Sequence, residues 1–338
     1  ELRGNRIQTK RISQQLDVID DGSEFGDLAS TPVFESGNFS TSYSMFSTAF
    51  KNSDALFQEM KDNQAIIANR LTTIDRPTAD KFGSQEILLP AFLAAYSGKN
   101  PNSVSLGAFK NIPIPNWTLR YNGLMKLGWF KSNFRSFTIS NGYKSSYTIS
   151  NFTNNLQYTK RIENPTTKKY ESKLLISSAS LIDEFSPLIK VEMKMKNSFS
   201  FKGEIKKDRT LTLNFDNSTL TDIRGTEFIF GMGYRIKNVV FNTKFAGKKQ
   251  RLKGDVNIRA DISLRDNLTL IRSIGVENNQ ISGGQKLLSI KLAADYKLNR
   301  NLTASFYYNH NTSRYAISTT FPRQSINTGI NIVYNLGN

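Results

Sequence analysis

Cysteine is absent from this chain of 338 residues, and it contains a single histidine, His310. The missing thiol excludes thiolate catalysis, disulfide bonds and cysteine metal sites. One imidazole leaves little basis for the histidine-dependent acid and base chemistry that many hydrolases use. Long apolar runs are also missing, because the longest, residues 87–96, has about half of the ~20 residues that a transmembrane helix needs. The sequence therefore favours neither a common enzyme class nor a helical membrane protein.

Acidic residues are scarce relative to basic ones, and the imbalance is local. The formal net charge is +17. Residues 1–114 hold 11 Lys+Arg and 13 Asp+Glu, so the excess, +19, lies entirely in residues 115–338. A surplus of this size is typical of proteins that bind nucleic acid or anionic surfaces. Because the basic residues stand singly at alternate positions, we expect no nucleic acid as a partner.

Alternation of apolar and polar residues is the main pattern of the chain. In VNIRADISLR, residues 256–265, one parity is apolar and the other carries both signs of charge. Successive side chains of an extended chain point to opposite faces, so this segment predicts a strand with one apolar and one charged face. The same period recurs in residues 190–205, 210–215, 287–299 and 326–336. We therefore predict an all-β, antiparallel architecture.

Short polar or glycine-containing segments interrupt this pattern and predict hairpin connections. They are KKDR at 206–209, DIRG at 222–225, ENNQISGGQ at 277–285 and NRN at 299–301. Hairpins place sequential strands side by side in antiparallel order. The predicted sheet is therefore a succession of neighbouring strands.

A change of period sets one segment apart. Residues 52–71 begin with an Asn or Ser cap and place apolar residues at helical spacing, and residues 84–98 predict a second helix that contains Pro90 and ends at Gly98. These helices suggest an insertion in a chain of strands. The predicted divisions are strands with an acidic loop in 1–50, a helical insertion in 51–112, and C-terminal strands in 113–338.

Two environments suit strands with one apolar face: the core of a soluble β-sandwich and the wall of a transmembrane antiparallel β-barrel. Many segments alternate for ~9 to 11 residues, the length of a membrane strand. The polar parity carries charges of both signs, and aromatic residues such as Phe199, Phe201 and Tyr334 lie near segment ends, as in barrel girdles. These features favour a barrel in the bacterial outer membrane.

The barrel prediction assigns one parity to a water-filled lumen and the other to lipid. Predicted lumen-facing residues are Lys190, Glu192, Lys194, Lys196, Asn257, Arg259, Asp261, Arg265, Lys291 and Asp295. Predicted lipid-facing residues are Val191, Met193, Met195, Val256, Ile258, Ile262, Leu264, Ile290 and Leu292. The basic surplus would suit acidic cargo or anionic lipid headgroups at the rim, although dispersed charges favour an evenly solvated wall.

Other candidate sites are weaker. His310 and Ser313 are three residues apart, a poor arrangement for a base and its nucleophile in a strand. The acidic segment at 17–27 offers oxygen ligands but misses the spacing of a calcium loop, which favours a solvated loop. Gly231 and Gly233 lie within a strand and indicate a bend or close packing. We therefore predict no catalytic, metal or cofactor-binding residues and no enzyme.

Six blocks in order carry a family resemblance. They are SQEILLPAFLAAYSGKNPNSV at 84–104, IPIPNWTLRYNGLMKL at 112–127, DEFSPLIKVEMKMKNSFSFKGEIKKDRTLTLNF at 183–215, GMGYRIKN at 231–238, LSIKLAADYKLNRNLT at 288–303 and ISTTFPRQSINTGINI at 317–332. Together they resemble the C-terminal part of the SprA/Sov family, the outer-membrane translocons of the type IX secretion system. The final residues, NLGN, depart from the terminal aromatic of many outer-membrane barrels.

The resemblance implies a transmembrane channel of about 36 strands, of which this chain would be the last portion. It implies a conduit for folded cargo proteins that carry C-terminal secretion signals, which in gliding bacteria include motility adhesins. The implied partners are the N-terminal remainder of the same barrel, a PorV-type shuttle barrel, a periplasmic plug protein, secreted cargo and outer-membrane lipids.

Alternatives remain at this point. Another outer-membrane transport barrel, for lipopolysaccharide export or porin-like transport, is the nearest one, and a secreted β-rich adhesin is a second. The helical insertion is either a packed cap or an element that projects beyond the wall and contacts a partner or constricts the pore.

Overall fold

A computed structural model describes most of the chain. The described residues are 2–5, 8–15, 34–74, 84–110, 113–156, 158, 172–245, 248–275, 279–297, 302–317 and 321–334.

The described elements are mainly strands. The strands are β1 (Leu2–Asn5), β2 (Gln8–Gln15), β3 (Phe34–Ser42), β4 (Asn116–Tyr121), β5 (Phe134–Asn154), β6 (Leu174–Ile176), β7 (Ser178–Met195), β8 (Phe199–Asn214), β9 (Thr219–Phe245), β10 (Lys248–Ser273), β11 (Asn279–Lys297), β12 (Leu302–Tyr315) and β13 (Arg323–Tyr334). The helices are α1 (Ser53–Ile74), α2 (Gln85–Ser97) and α3 (Gly128–Asn133). Two short 3-10 turns, Phe46–Thr48 and Gly123–Lys126, precede α1 and α3.

All described strands belong to one antiparallel sheet. Its main order is β1-β4-β5-β7-β8-β9-β10-β11-β12-β13, while β2 pairs with β3, and both β3 and β6 pair with β5. From β7 to β13 each strand pairs with the next one in the chain, as the hairpin prediction requires. The sheet is open in the described part of the chain, with β13 at one edge. The all-β, antiparallel class is thus confirmed.

Two of the predicted connections are wrong, because β8 and β9 are longer than the sequence suggested. KKDR at 206–209 lies inside β8 and DIRG at 222–225 lies inside β9, where Arg209 pairs with Arg224. The actual turn follows Asn214, whose Oδ1 accepts hydrogen bonds from the N–H groups of Asp216 and Asn217. Lys206, Asp208 and Arg209 are compatible with a strand because each has an oppositely charged partner on another strand, namely Glu227, Arg265 and Asp222, which local sequence does not reveal.

The third predicted connection, 277–285, is shorter in the structure. Strand β11 already begins at Asn279, so its glycines belong to the strand. The register between β10 and β11 shifts between Thr269 and Leu270, which pair with Gly283 and Ile281, and Gly284, with φ 155°, pairs with Leu268 beside that shift. These glycines therefore lie next to a β-bulge and not in a turn. The fourth predicted connection, 299–301, lies outside the described residues.

Both predicted helices of the insertion are present. Asn52 caps α1, because its Oδ1 accepts hydrogen bonds from the N–H groups of Asp54 and Ala55 at 2.8 and 3.2 Å. Helix α2 contains Pro90 and ends at Gly98, whose φ of 66° is the left-handed conformation expected of a terminal glycine. Residues 87–97 of α2 are buried throughout.

Helices α1 and α2, the helical layer, pack on one face of the sheet. Leu56, Met60 and Ile67 of α1 join the apolar side of α2 in a single core. The sheet contributes Tyr147, Ile149, Phe152, Ala179, Leu181, Leu211, Leu213 and Leu220 to that core. Burial of this many apolar side chains stabilises the layer, at roughly 1.5 to 3 kcal/mol for each large one.

Within the described residues, no helix is both long and apolar enough to cross a membrane.

Candidate functional site

The pairing register separates two faces of the sheet. Residues paired across neighbouring strands lie on the same face, and their chain neighbours lie on the opposite one. One row across six strands is apolar or uncharged: Met193, Phe201, Met232, Ala260, Leu292 and Tyr308. The adjacent row, shifted by one residue, points the other way: Glu192, Lys202, Gly231, Asp261, Lys291 and Asn309.

The apolar face forms a continuous belt beyond the edge of the helical layer. On β10 the belt runs from Val256 to Leu264, about 27 Å along the strand at about 3.4 Å per residue. In β8–β13, the residues of this face that align with 256–264 of β10 include no Lys, Arg, Asp or Glu. Exposed members of this apolar belt are Phe228, Phe230, Met232, Tyr234, Ile258, Ile262, Leu264, Leu292, Phe306, Ile326, Ile330 and Ile332.

The charged face lies directly behind the belt. Arg259 and Asp295 form an ion pair at 2.6 Å, and Arg265 lies 3.4 Å from Asp208 and 3.8 Å from Glu227. Further pairs on this face are Lys190–Glu192, Lys202–Glu204 and Lys206–Glu227. Pairs with exposed members contribute only about 0–1 kcal/mol each. These ion pairs keep the surface charged and hydrated, and they add little to the stability of the fold.

A shallow cavity crosses the charged face. Its volume is about 410 Å³, and strands β5, β7, β8, β9 and β10 contribute to it. Small residues, among them Ser200, Gly231 and Gly233, line it between longer charged side chains. The charged side chains around it are Arg120, Glu192, Lys194, Lys202, Arg259 and Asp261. Because Lys202 and Arg259 are already paired with Glu204 and Asp295, the cavity offers little unpaired charge to an anion or a cation.

The structure groups the predicted residues as their parity required. Val191, Met193, Met195, Val256, Ile258, Ile262, Leu264, Ile290 and Leu292 all lie on the apolar face. Lys190, Glu192, Lys194, Asn257, Arg259, Asp261, Arg265, Lys291 and Asp295 all lie on the opposite face. Lys196 is the exception, because it lies in the turn after β7 and not on a strand face. The alternation did not show that β7 ends at Met195.

Aromatic clusters lie at both ends of the belt. The two tryptophans of the chain are Trp117 and Trp129. Trp117 lies against Tyr143, with ring centroids 4.5 Å apart, and Trp129 contacts Phe134 at 5.6 Å. Tyr143 and Phe134 are nine residues apart on β5, about 30 Å along the strand. At a tilt of about 40° this spans roughly 23 Å, close to the ~25 Å between the aromatic girdles of membrane barrels.

A polar row closes the belt on the side of the helical layer. Cross-strand pairing aligns Phe185, Lys207, Thr226, Asp266, Lys286 and Arg314 across β7–β12. Lys286 and Asp266 lie 3.3 Å apart and are both exposed. The aromatic residue Phe50 is 61% exposed next to this row, and Lys207 Nζ lies 4.3 Å from its ring centre. The belt therefore ends in a mixture of charged and aromatic side chains.

Beyond that row, a buried ionic cluster joins the helical layer to the sheet. Asp222 is fully buried and lies 2.8 Å from Arg209 Nη2. The hydroxyl of Ser53, the first residue of α1, donates to Asp222. Arg272, 1% exposed, donates to Asp54 at 2.6 Å and to Ser53 at 3.2 Å. Three strands, β8, β9 and β10, and the start of α1 are thereby fixed to each other.

Sequence reasoning did not find this cluster or the polar row. The two predicted hairpin connections, KKDR and DIRG, contain Lys207, Arg209, Asp222 and Arg224. One signal was available: the alternation of 199–215 continues through KKDR without a change of parity. A strand that alternates on both sides of a polar tetrapeptide, with no Gly, Pro or Asn inside it, favours continuity over a turn.

The other candidate sites gain nothing from the structure. His310 lies on the apolar face, 2.8 Å from Gln324 Nε2, while Ser313 points to the opposite face. Gly231 and Gly233 are strand residues, as predicted. Among the described residues, no group of three or more acidic or histidine side chains is arranged to hold a metal ion. The acidic segment 17–27 lies outside the described residues.

No protein-family model and no curated protein matched the chain.

Proposed function

We propose that the charged face lines the water-filled interior of an outer-membrane β-barrel and that the apolar belt faces lipid. The observation that carries this proposal is the complete separation of charge at one height: the belt has none, and the face directly behind it holds charges of both signs. Charge on the lipid side of a barrel costs about 2 to 4 kcal/mol per Arg or Lys at the midplane. A belt bounded by tryptophans at both ends supports the same orientation.

We further propose that the interior conducts protein, as part of a type IX translocon of the SprA/Sov kind. The sequence resemblance supports this finer function, and the charged face suits it chemically. Mixed charges that are already paired, interspersed with Ser, Thr and Gly, bind water well and offer a passing protein few apolar contacts. In this arrangement the helical layer lies on the outer side of the wall, which favours contact with a partner over constriction of the pore.

Spin labels test the orientation of the wall. Placed singly along residues 256–265 of the assembled protein in a bilayer, they should alternate between high accessibility to oxygen at even positions and to a water-soluble relaxation agent at odd positions. A uniform profile along the segment would overturn the barrel proposal.

Cross-linking tests the transported substrate. A photo-reactive amino acid at Lys291 should capture secreted proteins with C-terminal signals in transit, while the same group at neighbouring Leu292 should capture lipid. Capture of lipopolysaccharide at Lys291 would instead identify a lipid exporter. Capture of neither protein nor lipopolysaccharide in secreting cells would favour a porin-like channel.

A further inference from the structure

The polar row at the end of the belt is more basic than acidic. Together with Lys51 from the loop before α1 and Arg224 from the next position on β9, it forms a cluster that we call the basic edge: Lys51, Lys207, Arg224, Lys286 and Arg314. Lys51, Lys207 and Arg224 lie where the belt meets the helical layer, and Lys286 and Arg314 continue the same row across β11 and β12. The basic edge therefore borders polar surface on one side and apolar surface on the other.

A cavity opens at this junction. It has a volume of about 470 Å³, and its charged lining holds four basic side chains, Lys51, Lys207, Arg209 and Arg224, and two acidic ones, Asp208 and Asp266. Phe228 and Leu268 of the sheet contribute apolar surface. Phe228 is 51% exposed and belongs to the belt. A ligand in the cavity would thus place an anionic group among the basic side chains and an apolar tail on the belt.

Two residues of the basic edge, Lys207 and Arg314, carry charge that no carboxylate of the described residues pairs. The other three lie near carboxylates: Lys51 is 3.8 Å from Glu59, Arg224 Nε is 3.8 Å from Asp222, and Lys286 is 3.3 Å from Asp266. Asp222 is shared with Arg209, and the buried Nε of Arg224 forms no hydrogen bond with another described residue. Lys207 Nζ donates to the carbonyl of Ala49 at 2.6 Å, and neither it nor Arg314 forms an ion pair with another described residue. An anion is the group that would satisfy these basic side chains.

We infer that the basic edge binds the phosphate groups of an outer-membrane lipid headgroup. Arginine matches phosphate oxygens with its fork of N–H donors, and lysine adds a point charge. Basic residues next to an anionic membrane surface strengthen binding to that surface. The exposed ring of Phe50 beside Lys207 suits the same position, because aromatic side chains form girdles at the interfaces of membrane barrels. The lipid is favoured over free phosphate because the cavity opens onto the belt, where acyl chains would lie. This inference rests on the proposed orientation of the belt.

Lipid retention by the purified assembly tests the inference. The edge variant Lys207→Gln, Arg224→Gln, Lys286→Gln and Arg314→Gln should lose roughly tenfold or more of the tightly held phosphate-bearing lipid, measured by native mass spectrometry and phosphorus content. A matched control on the charged face, Lys194→Gln, Lys291→Gln, Arg259→Gln and Arg265→Gln, removes the same charges and should retain wild-type lipid. Equal retention in both variants would overturn the inference.

Two further measurements separate the possible failures. Alkaline extraction reports membrane integration independently: release of the wild-type chain would overturn the proposed barrel, whereas integration with unchanged lipid would overturn the basic edge alone. Excess inorganic phosphate should leave the bound lipid in place, and displacement by phosphate would contradict a lipid site. If the fourfold variant fails to assemble, the exposed single variants Lys286→Gln and Arg314→Gln should still lower retention, and unchanged retention in both would be decisive against it.

Discussion

At the scale of single residues, the strongest constraints lie in the ionic cluster under α1. Asp222 receives hydrogen bonds from Arg209 and Ser53, and both Asp222 and Arg209 are buried. A buried ion pair adds little net stability when intact, but loss of one partner leaves the other charge without compensation. The cluster therefore specifies where the helical layer sits on the sheet.

Substitution of Asp222 tests this role. Asp222→Asn leaves Arg209 buried with a weaker partner, and we expect a loss of about 3 to 5 kcal/mol in the free energy of unfolding of the helical layer. Urea denaturation, followed by the far-ultraviolet circular dichroism of the helices, measures this loss of stability. Asp216→Asn, in the exposed turn after β8, is the control and should change stability by less than about 0.5 kcal/mol. Similar effects at the two positions would contradict the role.

Lys110 gives a pH-dependent prediction. It lies in the loop after α2, where Nζ donates to the carbonyls of Ser105 and Gly107 at 2.9 Å. Burial, with some repulsion from Lys99, lowers its pKa from 10.5 to about 8. Between pH 8 and 10 the unfolded state holds the proton that the folded state has released, so stability rises with pH across this window.

The Lys110 effect is measured as a difference. We expect the wild-type protein to gain up to about 2 kcal/mol over Lys110→Met between pH 8 and 10, in denaturation curves recorded at each pH. Other titrating groups, including the buried tyrosines, contribute equally to both proteins and cancel. Parallel curves for the two proteins would show that Lys110 is not desolvated in the folded state.

At the scale of elements, β10 separates the two environments most clearly. Neighbouring residues Ile258 and Arg259 point to opposite faces, and Arg259 forms its ion pair with Asp295 on the charged one. Both side chains are exposed, so removal of either creates no cavity. Substitutions at Ile258 and Arg259 therefore report on the surroundings of each face and not on packing.

Reciprocal substitutions on β10 use this property. Ile258→Arg should cost about 2 to 4 kcal/mol and lower the assembled fraction in a membrane-insertion assay, since it places charge in the belt. Arg259→Ile should cost at most about 1 kcal/mol, the value of an exposed ion pair. Equal tolerance of the two changes would remove the assignment of faces.

At the scale of the whole molecule, the helical layer and the sheet form one unit. Helix α2 is buried between α1 and the sheet, and core residues such as Leu211, Leu213 and Leu220 are fully covered. Replacement of residues 51–112 by a short linker would expose this surface and the ionic cluster together. The described part of the segment packs as a cap on the sheet.

The deletion therefore has a definite expected outcome. We expect assembled protein to fall to a small fraction of the wild-type level in outer-membrane fractions, because several large apolar side chains lose their cover. Charge reversal at exposed Asp62 of α1 is the control and should leave assembly unchanged. Wild-type assembly of the deletion variant would show that the sheet does not depend on the layer.

Sequence alone determined the faces of the strands and the place of the helices. A pleated strand turns every second side chain to the same side, so residues 256–265 specify their own two faces without reference to any other segment. The spacing of Leu56, Met60 and Ile67, and the glycine after α2, were likewise local signals. Each of these features depends only on backbone geometry within a few residues.

Tertiary structure decided which polar residues belong to strands and where charge is neutralised. KKDR and DIRG have the composition of turns, yet Arg209 and Asp222 meet across β8 and β9 and receive Ser53 from a helix about 150 residues away in sequence. The helical layer covers part of the apolar face of the sheet, and the basic edge lies where that cover ends. Both features likewise depend on contacts between distant segments. These contacts join residues that are distant along the chain, and their energies appear only when the partners are brought together.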